Sequence, residues 1–323
     1  MNVKKLLTRN EFFDRDIISV SQFEQCDIEF IYTLYVALKE CRGKGVRLLK
    51  DKVMAALFYE PSTRTSSSFI AAMTLLGGGV IPITQGVQFS SVTKGENLSD
   101  TVKSLEQLSD VIVLRHPEVG SAEIAAQISA VPIINAGDGI GEHPTQALLD
   151  LFTILERLDT SVAVPKDLLT VAMIGDLRYG RTVHSLVQLL PKVFRHIKFT
   201  FVSPKVLKMP DNILAEVDSY GIEYVETSLL DFHTPDIFYV TRVQKERFTD
   251  KKKYQSLKDT YCITEDDLKL IKKDAIIMHP LPRVGEISPE VDRDPRAVYF
   301  EQVGNGLYTR MALLLAVLYR GKK

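Results

Sequence analysis

The chain has 323 residues, and at roughly 150 residues per domain this length predicts about two domains. Its 40 Lys+Arg balance 41 Asp+Glu for a net charge of -1, so no global field draws it to nucleic acid or to an anionic bilayer, and neither is expected as a partner. With 45% hydrophobic and 25% charged residues and ordinary glycine and proline, disorder, collagen-like and low-complexity states are excluded, and any anionic substrate must be held by local clusters of cations.

The three cysteines, Cys26, Cys41 and Cys262, are odd in number and form no C-x-x-C, so neither a disulfide scaffold nor a thiolate zinc site is expected. Lys4 and Lys5 are followed by Arg9, Glu11, Asp14, Arg15 and Asp16, which interrupt any signal-peptide core. The most apolar stretch, Met311 to Leu318, is too short to span a bilayer. The chain reads as a soluble protein of a reducing compartment, the cytoplasm.

Apolar runs predict strands at Val53–Tyr59, Val80–Ile83, Val111–Leu114, Val131–Asn135, Leu169–Ile174, Lys198–Val202, Ile237–Tyr239 and Ala275–Met278. Between them, helix-period segments include Ser66–Leu76, Asp100–Leu108, Thr145–Leu158, Thr182–Leu190, Asp211–Tyr220 and Glu265–Lys272. This alternation predicts an α/β protein with parallel, doubly wound sheets. The long helix Thr145–Leu158 followed by D-T-S-V-A-V-P-K-D marks a boundary, giving domains over 1–150 and 151–300. The last apolar helix, Leu307–Leu318, is expected to return with 301–323 onto the first domain.

In open α/β sheets, ligands bind at the carboxyl ends of the strands, so the residues after each run are the informative ones. The first strand leads into E-P-S-T-R-T-S-S-S-F, where Pro61, Ser62, Thr63 and Thr65 suit a helix start with Arg64 in the same turn. This is either a phosphate cradle or an ordinary N-cap beside a solvated arginine. Val111–Leu114 ends in Arg115-His116-Pro117. Val131–Asn135 runs into A-G-D-G-I-G-E-H-P-T-Q, where Gly137, Gly139 and Gly141 permit close backbone approach and His143 and Gln146 can face one point. A lone histidine is more often structural, but this one follows a glycine loop at a strand's carboxyl edge.

The second half repeats the theme. Leu169–Ile174 leads into G-D-L-R-Y-G-R-T-V-H-S-L, placing Arg178 and Arg181 near a helix start. Ile237–Tyr239 leads into V-T-R-V-Q-K, with Arg242 and Gln244 on one face if extended. Ala275–Met278 ends in H-P-L-P-R, where two prolines stiffen a turn carrying His279, Leu281 and Arg283. Six strand ends thus supply an arginine or histidine, the pattern of a cleft for more than one anionic group.

Other signals are weaker. Ser91-Val-Thr-Lys94 matches S-x-x-K, but no K-T-G follows and the penicillin-binding reading is rejected. Residues 244–259 read as a charged, solvated loop able to move on ligand binding. Both glycine segments lack the G-x-G-x-x-G spacing, which opposes a nucleotide-dependent dehydrogenase. The six histidines show no metal-ligand spacing, and neither a Walker motif nor a G-x-S-x-G elbow is present.

In order, F-Y-E-P-S-T-R-T-S, S-S-V-T-K-G-E, V-L-R-H-P, G-E-H-P-T-Q-A-L-L-D, G-R-T-V-H-S-L, T-R-V-Q-K-E-R-F and M-H-P-L-P-R closely resemble the aspartate carbamoyltransferase family, from about Phe58 to the C-terminal helix. The residues before Leu49 are less diagnostic. The resemblance implies transfer of the carbamoyl group of carbamoyl phosphate to the amino group of L-aspartate in pyrimidine synthesis, two α/β domains, a homotrimer with shared sites, and no metal or organic cofactor. It further implies that Ser62, Thr63, Arg64 and Thr65 bind the phosphate, and that Thr65, Arg115 and His143 contact the carbonyl oxygen. Gln146 and the carbonyls of Leu281 and Pro282 would hold the carbamoyl NH2, and Arg181, Arg242 and Gln244 the aspartate carboxylates. Ser90 and Lys94 would reach in from a neighbouring subunit. Ornithine carbamoyltransferases typically show H-C-L-P and S-M-G; this chain has H-P-L-P-R and no S-M-G. F-Y-E-P-S-T-R-T-S-S-S-F and I-N-A-G-D-G-I-G-E-H-P-T-Q are closer to the eukaryotic type. The chain is far shorter than the fused multifunctional proteins and reads as a stand-alone chain or an excised domain. Intact Arg64, Arg115, His143, Arg181 and Arg242 oppose a non-catalytic scaffold.

Overall fold

The computed structural model describes residues 2–84, 91–166, 168–244 and 261–321. Among them, β1 (Val53–Phe58), β2 (Gly79–Ile83), β3 (Val111–His116) and β4 (Ile133–Asp138) form one parallel sheet in the order β2-β1-β3-β4. A second parallel sheet comprises β5 (Leu169–Ile174), β6 (Ile197–Val202), β7 (Glu223–Thr227), β8 (Ile237–Val240) and β9 (Ile276–Met278), in the order β7-β6-β5-β8-β9. The helices, in chain order, are α1 (Val3–Leu6), α2 (Gln25–Glu40), α3 (Thr63–Leu75), α4 (Leu98–Leu105), α5 (Ser121–Ile128), α6 (Pro144–Arg157), α7 (Arg181–Leu189), α8 (Asp211–Ser219) and α9 (Tyr299–Leu318). The chain divides into two compact units, Met1–Phe152 with Val303–Lys323, and Thr153–Gln302. The fold is therefore two parallel-sheet α/β units with a C-terminal helix, as the strand–helix alternation predicts.

In the first unit, β1 and the starts of β3 and β4 are apolar because helices cover both faces of a parallel sheet. Ala55, Leu57, Ile112, Leu114 and Ile133 pack with Val102, Leu105 and Ala125 of α4 and α5. The second unit buries Ala172, Ile174, Phe238, Val240 and Ile277 with Val291 and Tyr299. β7 escapes a hydrophobicity-based reading: Glu223, Glu226 and the half-exposed Tyr224 leave it without an apolar run, yet it pairs with β6 from Lys198↔Glu223 to Val202↔Thr227. As an edge strand with charged residues it resists pairing with another chain.

One predicted helix does not form. Over Glu265–Lys272 only a single 3-10 turn, Asp267–Lys269, is present. Arg296 takes the carbonyls of Ile271 (2.7 Å), Lys272 (3.1 Å) and Leu268 (3.0 Å), of which a helix over this stretch would have needed that of Leu268 for its own ladder. The C-terminal helix conversely starts at Tyr299 rather than Leu307, running through Gly304 and Gly306. The charged run at 245–260 lies outside the described residues.

The two strand orders fix where ligands can bind. In each sheet the winding reverses beside the first strand of the unit, between β1 and β3 and between β5 and β8. At such a switch point the loops leaving neighbouring strands run to opposite faces and open a crevice.

Candidate active site

At the first switch point, β1 pairs with β3 up to Phe58↔Arg115, and the Tyr59 N–H continues the ladder to the Arg115 carbonyl at 2.8 Å. The chain then turns at Pro61 into α3, for which Ser62 is the N-cap residue. The Ser62 side chain makes no capping hydrogen bond, so it does not consume the first N–H groups of the helix. Arg64 is exposed, Ser62 half-exposed and Thr63 exposed in this turn, while Thr65 is buried below them. A thirteen-residue helix therefore begins with its positive end, two hydroxyls and a guanidinium in a single turn.

Arg115 is half-buried at the end of β3, with Nε 3.4 Å from Glu60 Oε2 and Nη1 3.5 Å from the Ala136 carbonyl. Its neighbour His116 points the other way: Nδ1 accepts the Glu118 N–H at 3.1 Å, and the ring meets Tyr59 edge-on at 4.4 Å. Burial lowers its pKa below the ordinary 6.5, against the pull of Glu118, Glu60 and Asp138, so His116 is a neutral packing residue at pH 7.

The loop after β4 is held rigidly. Asp138 accepts the Glu142 N–H (2.7 Å) and the Gly120 N–H (2.9 Å), while Glu142 accepts from Ser19 Oγ (2.6 Å) and the Val20 N–H (2.8 Å). Gly139 has φ +54, and a Cβ there would lie 2.4 Å from the Pro117 carbonyl, so only glycine fits this crossing. The bracing places His143, only 3% exposed, immediately before Pro144, the first residue of α6. Its carbonyl starts the helix by accepting from Gln146 (2.9 Å) and Ala147 (3.1 Å), and its Nδ1 lies 3.5 Å from Thr145 Oγ1. Gln146 is half-buried, one residue into the helix beyond Thr145, and donates Nε2–H to Asp150 at 2.9 Å.

Lys94 is exposed at the end of a 3-10 turn, Ser91–Lys94, whereas Ser90 lies outside the described residues.

At the second switch point, β5 leads into Gly175 (φ +109), where a Cβ would stand 2.2 Å from the Thr241 carbonyl. Beyond it lies Asp176, fully buried, which the sequence reading passed over. Its carboxylate accepts the Tyr179 N–H at 3.0 Å and the Gln244 N–H at 3.3 Å, and its own N–H donates to Thr241 Oγ1 at 3.1 Å. Gln244 Nε2 closes the arrangement on the Tyr179 carbonyl at 2.9 Å. One carboxylate thus braces the loop before Arg181, the first residue of α7, against the segment carrying Arg242 and Gln244. Burial pushes the Asp176 pKa up, opposed by the N–H groups of Tyr179, Gln244 and Arg178 and by attraction to Arg242. Along 241–244 the side chains alternate, with Thr241 and Val243 buried and Arg242 and Gln244 half-exposed on one side. The signal for Asp176 was present in G-D-L-R-Y-G, an acidic residue at a strand end before a helix, but only burial reveals its use.

The turn after β9 is self-contained. His279 accepts the Leu281 N–H at Nδ1 (2.7 Å), which leaves Nε2–H to donate to the buried Glu286 at 2.6 Å. Glu286 also accepts from Val284 (3.0 Å) and Gly285 (2.9 Å), and Leu281 is held at φ +54, before Pro282. Arg283 is engaged by Asp292 (2.6 Å from Nη2) and the Tyr299 hydroxyl (3.0 Å). His279 and Arg283 therefore shape the turn. His184 is likewise structural, with Nε2 2.7 Å from the Leu177 carbonyl. Among the described residues, no helix is long and apolar enough to cross a membrane.

Two family models match this chain: "Aspartate/ornithine carbamoyltransferase, carbamoyl-P binding domain" over residues 15–156, and "Aspartate/ornithine carbamoyltransferase, Asp/Orn binding domain" over residues 167–317. The chain is 47% identical over 308 residues to the aspartate carbamoyltransferase catalytic subunit of Thermococcus onnurineus, covering 94% of this chain and 97% of that one. It is 48% identical over 319 residues to the multifunctional protein pyr1-3 of Dictyostelium discoideum, covering 98% of this chain but spanning 14% of the length of that protein. A crystal structure of aspartate transcarbamoylase from Trypanosoma cruzi, in complex with carbamoyl phosphate and aspartate, superposes with a TM-score of 0.89 at 42% identity, covering 96% of this chain and 98% of that one.

Proposed function

The chain belongs to the aspartate/ornithine carbamoyltransferase family, and on that premise we propose that it carbamoylates L-aspartate, forming N-carbamoyl-L-aspartate and phosphate in pyrimidine biosynthesis. The observation that carries this reading is the pair of switch-point clusters. One is a helix start with Ser62, Thr63, Arg64 and Thr65, suited to a phosphate; the other brings Arg181, Arg242 and Gln244 under the brace of Asp176, suited to carboxylates.

The roles follow from the chemistry. The first turn of α3 binds the phosphate of carbamoyl phosphate. Arg115, His143 and the Thr65 hydroxyl donate to the carbonyl oxygen, whose negative charge grows as the amine attacks; each such donor is typically worth about 3–4 kcal/mol. Gln146, Leu281 and Pro282 accept hydrogen bonds from the carbamoyl NH2. The aspartate nitrogen forms a bond to the carbonyl carbon, the carbon–oxygen bond to phosphate breaks, and the departing phosphate takes the amine proton. No protein base and no metal is needed for that balance. Guanidinium groups of Arg181 and Arg242 can make bidentate pairs with the two carboxylates of aspartate, and Gln244 adds an amide. The rejection of ornithine rests on the same feature, since a cationic side chain would meet Arg242.

The three free thiols, with no disulfide, support a reducing, cytoplasmic setting. A homotrimer with shared sites is part of the proposal, Ser90 and Lys94 completing the site of the neighbouring subunit. The activity is tested by phosphate release that depends on aspartate. The sharing is tested by mixing two inactive chains, Arg64→Ala and Lys94→Ala, since a hybrid trimer contains interfaces where both residues are intact. Activity is expected to return in verified hybrids to a sizeable fraction of wild type; none would place Lys94 within its own subunit's site or outside any.

A further inference from the structure

Gln146 does not stand alone on α6. One turn on, Asp150 is fully buried and accepts the Gln146 Nε2–H at 2.9 Å. Across from Asp150, α9 delivers Arg310, itself only 3% exposed, with its guanidinium 5.2 Å over the Phe69 ring and Nη1 donating to Ser68 Oγ at 3.0 Å. Gly306 makes the room, since a Cβ there would lie 2.6 Å from Arg310 Nη1 and 3.1 Å from Leu149 Cδ2. All these residues lie in the first unit.

Two buried charges of opposite sign are a poor source of stability. Desolvation lowers the Arg310 pKa to about 10, opposed by its attraction to Asp150, so it remains charged at pH 7. Its Nε is buried with no hydrogen-bond partner among the described residues. Buried ion pairs with unmatched polar atoms are often less stable than apolar packing of the same volume. What the pair does supply is polarity. A carboxylate can only accept hydrogen bonds, so the amide beside it must present NH2 and turn its oxygen away.

Resting on the reading that Gln146 meets the carbamoyl group, we infer that Asp150, buried in the attractive field of Arg310, is a positioning residue that fixes the Gln146 amide with Oε1 toward the substrate, thereby selecting carbamoyl phosphate over acyl phosphates that lack the NH2. The substrate's NH2 is a donor and needs that oxygen; the methyl group of acetyl phosphate has nothing to donate. Were the amide reversed, its own NH2 would face the carbamoyl NH2, donor against donor.

The test is the ratio of the inhibition constant of acetyl phosphate to the KM of carbamoyl phosphate, which cancels effects common to both. Wild type is expected to form carbamoyl-aspartate and to favour carbamoyl phosphate. In Asp150→Asn, Arg310 attracts the amide oxygen of the new side chain, whose NH2 then faces Gln146 and reverses it; the ratio is expected to fall about tenfold, the size of one amide hydrogen bond made with the wrong polarity. The swap Asp150→Asn with Gln146→Glu keeps one negative charge beside Arg310 and again presents an acceptor, so the ratio is expected to return to within about threefold of wild type. If Asp150→Asn alone does not fold, the swap carries the test, and a ratio below a tenth of wild type overturns the inference. A folded Asp150→Asn variant with the wild-type ratio also overturns it, since a merely structural role would lower turnover without changing selectivity. A wild-type chain that forms no carbamoyl-aspartate overturns the functional reading itself, and this inference with it.

Discussion

Arg64→Ala is expected to lower kcat/KM for carbamoyl phosphate by a factor on the order of 10² to 10³. Its stability to urea should stay within about 0.5 kcal/mol of wild type, because Arg64 is exposed in the first turn of α3. Exposed arginines contribute little to a fold. The same position contributes much to a dianion, because the guanidinium adds charge-assisted donors where helix N–H groups and the dipole already point. Thr65, buried beneath it, and Ser66, whose hydroxyl donates to the Ser62 carbonyl, fix the turn without Arg64. Steady-state kinetics and urea unfolding on the same preparation check both halves. Wild-type kinetics would remove the α3 turn from the site, and an unfolded variant would make Arg64 structural.

Asp176→Asn is expected to raise the KM for aspartate on the order of tenfold to a hundredfold, while the affinity for carbamoyl phosphate alone changes by less than about twofold. The substitution keeps shape but not acceptors. One amide oxygen can still take the Tyr179 N–H, while the NH2 must confront the Gln244 N–H, already the longer of the two bonds at 3.3 Å. The segment bearing Arg242 and Gln244 then loses its brace. The stability lost with the second acceptor should be partly offset. The Asp176 pKa is raised above the ordinary 3.8, so its contribution to stability is greatest below that pH and is lost as pH rises through the folded-state value. At pH 7 the ionised group is therefore held at a cost, and a neutral amide relieves it. Calorimetric titration with carbamoyl phosphate separates the two effects; equal weakening of both substrates would mean that Asp176 supports the whole fold rather than this segment.

What could be read from the sequence was whatever announces itself locally. The strand ends carrying Arg115, His143 and Arg181 stood out because apolar runs stop there and cations begin; Arg115 and Arg181 follow strands that flank sheet switch points, and His143 follows the neighbouring edge strand β4. Helix α2 was equally legible, with Ile28, Ile31, Leu34, Tyr35 and Leu38 on its buried face, yet no motif drew attention to it. β7 was not, because a half-exposed edge strand needs no apolar pattern. The start of α9 was hidden by Gly304 and Gly306, which ordinarily weaken a helix; at Gly306 the lost propensity is offset by the close fit of α9 against α6. Asp150, Asp176 and Arg310 were invisible for a common reason. Charged residues in a sequence read as surface, and only tertiary packing shows that these three are buried. Under the function proposed above, those are also the residues that orient the ones carrying the chemistry. His279 and Arg283 show the opposite error, conspicuous at a strand end but committed to Glu286 and to Asp292.

This chain is expected to transfer a carbamoyl group to aspartate and not to ornithine. Incubating the purified protein with carbamoyl phosphate and equal concentrations of aspartate and ornithine, and identifying the products by mass, tests it most directly. N-carbamoyl-aspartate and phosphate are expected in equal amounts, with no carbamoyl-ornithine. Carbamoyl-ornithine as the main product, or phosphate release without carbamoyl-aspartate, would contradict it.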